Sequence, residues 1–187
     1  MNNTKNMIYT ALFAALTAVG AFLRIPMGYS SVTLQYLFTA MAGLLLGRKW
    51  GALSQLLYVL LGLMGLPIFT MGGGLGYVFQ PTFGFLLGLI PAAWVVGAVS
   101  AQRFDDPKRM ALAALAGLAV LYAIGLPYMG GILNLYMHKG MTVRAILWSG
   151  MIPYLPGDAL KILVAASVCP VLGRRLQLAA APHKQEE

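Results

Sequence analysis

Asp158 and Lys161 stand three residues apart in "PGDALKILVAA", residues 156–166, at the head of an otherwise apolar run. A carboxylate accepts hydrogen bonds and an ammonium donates them, so the pair could hold a ligand that carries both N–H donors and carbonyl or carboxylate acceptors. Residues three apart on a helix lie on the same side, and the two could face a ligand, each other, or both. A plainer reading competes with this one: an acidic residue at a helix start, favoured by the helix dipole, with a lysine as its counter-ion. The surroundings weigh on the choice, because each charge costs about 2.5–3.5 kcal/mol at the centre of a membrane helix and less toward the interface.

Those surroundings are lipid-like. Of the 187 residues 59% are hydrophobic and 10% charged, with a mean hydropathy of +0.77, far more apolar surface than one soluble core of this size needs. The chain reads as an all-α integral membrane protein. No Asp, Glu, Lys or Arg occurs between Trp50 and Gln102, a stretch long enough for two passes of about 20 residues. Breaks at charges and Pro/Gly clusters predict six transmembrane helices over approximately 6–24, 33–47, 50–65, 81–101, 109–128 and 157–173. The third and sixth are short for a bilayer, which predicts tilt or loops at membrane depth. Lys5 ahead of an apolar run imitates a secretory signal, but more membrane protein follows, and the run is read as an uncleaved first helix. One domain is expected over 1–175, with a short polar tail over 176–187. Cys169, the single cysteine, reads as a small core residue.

An even number of passes puts both termini on one side. Lys5, Arg48, Lys49, Arg103, Lys108, Arg109, Arg174, Arg175 and Lys184 fall on that side, against Arg24, Lys139 and Arg144 on the other, so both termini are expected to be cytoplasmic. The same excess accounts for the net charge of +8 without a nucleic-acid partner.

On the outer side, between the third and fourth helices, runs "GLPIFTMGGGLGYVFQPTFGF", residues 65–85. Three consecutive glycines stop a helix, yet Ile68, Phe69, Tyr77 and Phe79 are too apolar for a simple solvated loop. The segment is expected to fold back as a re-entrant or lid loop, with Gly73 and Gly74 bringing backbone close to a ligand and Tyr77 and Phe79 covering it. A hydrophobic connector dipping into the interface is the competing reading. No Lys-Ser/Thr follows the glycines, so this is not a phosphate loop.

Gln35 in "VTLQY" and Asn134 after the fifth helix could add amides to a pocket; Gln55 fits a helix–helix hydrogen bond better. No metal-ligand cluster, Ser–His pair or carboxylate pair stands within the apolar runs, which leaves catalysis little to work with. In the first helix Ala11, Ala15 and Ala18 recur at i, i+4 and i+7, and Ala14, Ala18 and Ala21 at a similar spacing, so that one side is a shallow groove of small residues, fit either for packing inside the bundle or for close approach of a partner's helix.

The glycine-rich loop together with "PGDALK" at the sixth helix resembles the BioY family, the biotin-specific substrate-binding (S) components of energy-coupling-factor (ECF) transporters. The resemblance extends over essentially the whole chain; where family members often carry Pro-Val-Pro ahead of Thr-Leu-Gln, "SSVTLQ" stands here. It implies a multi-pass subunit of a prokaryotic plasma membrane that captures biotin from outside and delivers it inward, not an enzyme, with no ATPase of its own and no cofactor. Partners implied are a transmembrane coupling subunit, docking on the Ala11/Ala15/Ala18 face, and a pair of ATPase subunits. Asp158 would accept from the ureido N–H groups of biotin and Lys161 would donate to its ureido carbonyl or its carboxylate. Competing readings are an S component for another vitamin, a channel, or an intramembrane enzyme; a channel would need a polar stripe along several helices, and an enzyme an activatable nucleophile or a metal site.

Overall fold

Gly47 shapes the first half of the molecule. In the computed structural model, which describes residues 3–27 and 30–180, helix α2 spans Gln35–Leu63 but is broken at Gly47, whose φ of 77° and ψ of 179° no side-chain-bearing residue adopts readily. The two segments fold back on each other. Gln35 Nε2 donates to Tyr58 Oη at 2.9 Å and Thr39 Oγ1 to Gln55 Oε1 at 2.9 Å, bonds that only an antiparallel pair of segments can make. Gln102 Nε2 donates to the Leu45 carbonyl at 2.9 Å and satisfies a backbone acceptor at the break. The second and third helices expected from the sequence are thus the two arms of α2.

Ahead of it, α1 spans Asn3–Phe22, and an antiparallel hairpin of β1 (Arg24–Met27) and β2 (Ser30–Thr33) forms the connection between α1 and α2. The sequence showed no hairpin there. Beyond α2 come the glycine-rich loop with a 3-10 turn at Leu75–Phe79, then α3 (Phe83–Ser100) and α4 (Pro107–Gly131), which continues into a π turn over Ile132–Tyr136. A short α5 (Val143–Gly150), also unexpected, precedes α6 (Leu155–Ala180). The sixth helix therefore outruns its expected 157–173 and takes in residues assigned to the polar tail; the remainder of that tail, 181–187, lies outside the described residues.

Among the described residues four helical stretches are long and apolar enough to cross a membrane: Asn3–Phe22, Phe83–Ser100, Pro107–Tyr136 and Val143–Arg175. Helix α3 is the hub, packed along α2 on one side and α4 on the other, with Leu86, Leu89, Ala92, Ala93 and Val96 buried. Side chains such as Leu112, Leu115, Leu160 and Leu163 stay exposed around the outside, as a lipid-facing surface requires. Helix α1 and the two arms of α2 are also tied by a polar knot: Gln55, Thr17, Thr39 and Ser54 are all fully buried, and the Gln55 amide bonds to each of the other three. That is the helix–helix role expected for Gln55.

At one end of the bundle the connections converge. The Arg48 backbone lies against Gly97, and the Phe104 ring is buried against Gly173. Arg48, Lys49, Arg103, Lys108, Arg109, Arg174 and Arg175 are thereby gathered together, and Asp158 and Lys161 lie toward the opposite end.

Candidate functional site

A 3-10 turn at Ile152–Tyr154 leads into α6, and Asp158 falls in the first turn of the helix, where the dipole favours a carboxylate. Lys161, three residues on, turns back to it, with Nζ donating to Asp158 Oδ1 at 2.7 Å. Both residues are buried, 5% and 7% exposed. From α4, Tyr122 Oη donates to the second carboxylate oxygen, Oδ2, at 2.5 Å. Two helices thus hold one carboxylate by charge-assisted bonds, and each of its oxygens keeps lone-pair capacity for a further donor. Burying such a pair costs several kcal/mol per ion, repaid only where geometry and hydrogen bonding are good. A counter-ion at a helix start that served stability alone would sit more cheaply in the interface.

The pair opens on a cavity that is partly open to solvent. Its walls are Ser31, Val32 and Thr33 of β2, Gln35 and Tyr36 of α2, Thr70, Tyr77 and Thr82 of the glycine-rich loop, Phe85, Leu86 and Leu89 of α3, Leu121 and Tyr122 of α4, and Gly150, Tyr154, Asp158 and Lys161. Apolar walls with a few convergent polar groups suit a ligand with an apolar ring and a polar head. Gln35 is held from two sides, accepting from Thr33 Oγ1 at 3.0 Å and donating to Tyr58, whose hydroxyl in turn donates to the Ile68 carbonyl at 3.0 Å. Tyr36 donates to the carbonyl of Ala114 and locks α2 to α4 at the side of the cavity.

The glycine-rich loop is anchored rather than loose. Phe69, 1% exposed, lies on Gly62, where a Cβ would come within 2.1 Å of its ring. It meets Tyr58 edge-on, centroids 5.5 Å apart, and Tyr77 at 4.7 Å. Tyr128 Oη donates to the Val78 carbonyl at 2.5 Å, and Gly74 N to Gly62 O at 2.7 Å. Thr70 and Tyr77, their hydroxyls 2.8 Å apart, face inward.

Of the residues the sequence singled out, Asp158, Lys161, Tyr77 and Gln35 therefore meet around one cavity. Gly73, Gly74, Phe79 and Asn134 do not line it. Gly73 is a point of close backbone approach, since a Cβ there would stand 2.1 Å from the Leu66 carbonyl oxygen, and Gly74 carries a φ of 96°. Phe79 is 54% exposed and stacks on Tyr136 outside the cavity. The Asn134 side chain clamps Met141, donating to its carbonyl at 2.9 Å and accepting from its N–H at 2.6 Å. On α1, Ala11 and Ala15 are exposed and Ala18 half-buried, whereas Ala14 and Ala21 face the core. Sequence reasoning missed Tyr36, Tyr122, Tyr154, Thr70 and Thr82. Tyr122 is a single hydroxyl in the apolar run "AVLYAIGL", and nothing local ties it to a carboxylate 36 residues away.

The tight seat of Gly73 has a measurable consequence. Gly73→Val is expected to lower stability by about 1–3 kcal/mol, because the loop backbone has to move off Leu66. Gly76→Val, with open space around the position, should leave thermal unfolding in detergent unchanged. Equal melting of both variants and the parent would show that the loop is held only loosely.

A sequence model described as the BioY family matches residues 1–178. The chain is 41% identical over 158 residues to the probable biotin transporter BioY of Lysinibacillus sphaericus, covering 83% of this chain and 80% of that one. It is 36% identical over 165 residues to the biotin transporter BioY of Thermotoga maritima, covering 88% and 93%. Its fold matches the crystal structure of an S-component for biotin from an ECF-type ABC transporter, with a TM-score of 0.80 at 23% identity over 93% of this chain and 95% of that one.

Proposed function

Since the chain belongs to the BioY family, we propose that it is the biotin-capturing membrane subunit of an ECF-type uptake system, taking biotin from the outer face and passing it inward with a coupling subunit and a pair of ATPases. Biotin is cargo here, not a cofactor, and the chain is a transporter component rather than an enzyme. The observation that carries this reading is the buried Asp158–Lys161–Tyr122 set at the wall of an otherwise mostly apolar cavity.

The chemistry fits group by group. The ureido ring of biotin has two N–H donors and a carbonyl acceptor, and its fused thioether ring is apolar. Asp158, fixed by Lys161 and Tyr122, accepts ureido N–H groups, and Lys161, with donors to spare, reaches the ureido carbonyl. Tyr77, Tyr36, Phe85 and Leu86 enclose the rings, while Gln35 and the Thr70 and Thr82 hydroxyls supply further polar contacts. In this reading Gly73 and Gly74 act by shaping the loop that presents Tyr77, and Phe79 and Asn134 brace its surroundings.

The membrane arrangement we propose has six passes, formed by α1, the two arms of α2, α3, α4 and α6, with α5 lying beside the outer end. The convergence of cationic connections at one end supports a cytoplasmic location for that end and for both termini. The Ala11/Ala15/Ala18 face, open where Ala14 and Ala21 are packed inward, is the docking face for the coupling subunit.

Uptake tests the assignment. Cells that depend on external biotin and lack their own importer should accumulate labelled biotin when this chain is expressed with a coupling module. Accumulation no greater than in cells expressing the module alone would contradict it.

A further inference from the structure

Proceeding from biotin as the ligand, we propose that Arg24 is the specificity residue that binds the ligand's carboxylate at the rim of the cavity. Lys161 is poorly placed to do so. It is the cation lining the cavity among the described residues, and its ammonium is already neutralised by Asp158 at 2.7 Å, so the cavity carries no net charge. A carboxylate drawn into it would be an uncompensated anion against apolar walls, a costly placement. The carboxylate end of the ligand has to find a cation elsewhere.

The hairpin supplies one. Arg24 opens β1 and pairs directly with Thr33 of β2, and residues opposite each other in an antiparallel pair send their side chains to the same face. Thr33 lines the cavity and donates to Gln35, which lines it too. Strand β2 also runs beside the first turn of α6, with Val32 Cγ1 3.5 Å from where a Cβ on Gly157 would stand, next to Asp158. Arg24 is thus tethered to the cavity wall and itself exposed, ready to meet the far end of a ligand whose head is held by Asp158.

Among the described residues no acidic side chain is paired with Arg24. Asp158 is paired in the cavity, and Asp105 and Asp106 lie in the connection between α3 and α4. A planar guanidinium binds a carboxylate through two parallel hydrogen bonds, a geometry that favours biotin over forms whose carboxyl is capped as an amide or ester.

The test compares two ligands on purified full-length protein: biotin and its primary amide, titrated at equilibrium. The parent should bind biotin about tenfold more tightly than the amide, a ratio suited to one partly solvated charge pair. Arg24→Gln should bring biotin down to the affinity of the amide and leave the amide within about twofold of its parent value. Arg24→Lys should keep part of the preference, which guards against a Gln variant that fails for reasons of folding. Arg144→Gln, on the same side but about 9 Å along α5 from cavity-lining Gly150, should change neither ligand. Equal affinity of the parent for biotin and amide, or an equal loss of both in Arg24→Gln as a lipid-anchoring arginine would give, overturns the proposal while leaving biotin as the ligand. A parent that binds neither compound would instead overturn the assignment of biotin.

Discussion

Asp158→Asn is expected to weaken biotin binding by an order of magnitude or more while the protein still inserts and purifies. The substitution preserves the shape of the side chain but removes the charge that two donors converge on, Lys161 at 2.7 Å and Tyr122 at 2.5 Å. Each hydrogen bond to a charged acceptor contributes about 1.5–3 kcal/mol, and an amide offers one acceptor oxygen where the carboxylate offered two. A second cost falls on the protein itself, because Lys161, 7% exposed, loses its counter-charge. Removing one partner of a buried pair costs about 3–5 kcal/mol in stability, so Asp158→Ala, which leaves no acceptor at all, should express poorly. Lys161→Met should also lose biotin. The double variant Asp158→Asn with Lys161→Met should lose less than the sum of the single variants, because the two charges are directly coupled. Titration of biotin alongside a thermal melt separates the two effects. An Asn variant that binds biotin as the parent does would reduce Asp158 to a helix-start residue.

The second large effect concerns transport rather than binding. Ala15→Trp should abolish co-purification with the coupling subunit and ATP-dependent uptake while leaving the biotin affinity of the isolated protein near that of the parent. Ala15 and Ala11 face outward on α1, whereas the core side of the helix is formed by Phe13, Ala14, Thr17 and Ala21, so bulk at position 15 points away from the core. A small-residue face lets another helix approach closely, and an indole prevents that approach. Ala14→Trp is the informative contrast: its side is buried, and the variant should lose the fold and therefore biotin as well. Loss of biotin binding in Ala15→Trp would place that face inside the functional bundle. Intact assembly in the same variant would move the docking surface elsewhere.

The sequence made the apolar segments legible because bilayer thickness imposes a length and a charge penalty that composition displays directly. Asp158 and Lys161 were legible for the same reason, being expensive where they stand. The candidate site around them was less so, since its remaining members are ordinary side chains brought together only by tertiary contacts. Tyr122 finds its carboxylate partner on a helix 36 residues away, and Tyr36 and Tyr58 are positioned only once α2 has folded back at Gly47. The glycine-rich loop was legible only in part. Gly73 and Gly74 are expected to bring backbone close to a ligand; in the structure Gly73 brings it close to the Leu66 carbonyl, and Gly62 of α2 makes room for the Phe69 ring. Glycine in sequence signals close approach without naming what approaches. The hairpin at Arg24–Thr33 gave no signal either, since its strands are only four residues each.

Equilibrium titration of the purified protein with biotin, riboflavin and thiamin tests the central claim most directly. The account predicts saturable, tight, one-to-one binding of biotin and none of the other two, since neither carries the ureido head that Asp158, Lys161 and Tyr122 are arranged to hold. Binding of riboflavin or thiamin as tight as that of biotin, or no saturable binding of biotin at all, would contradict it.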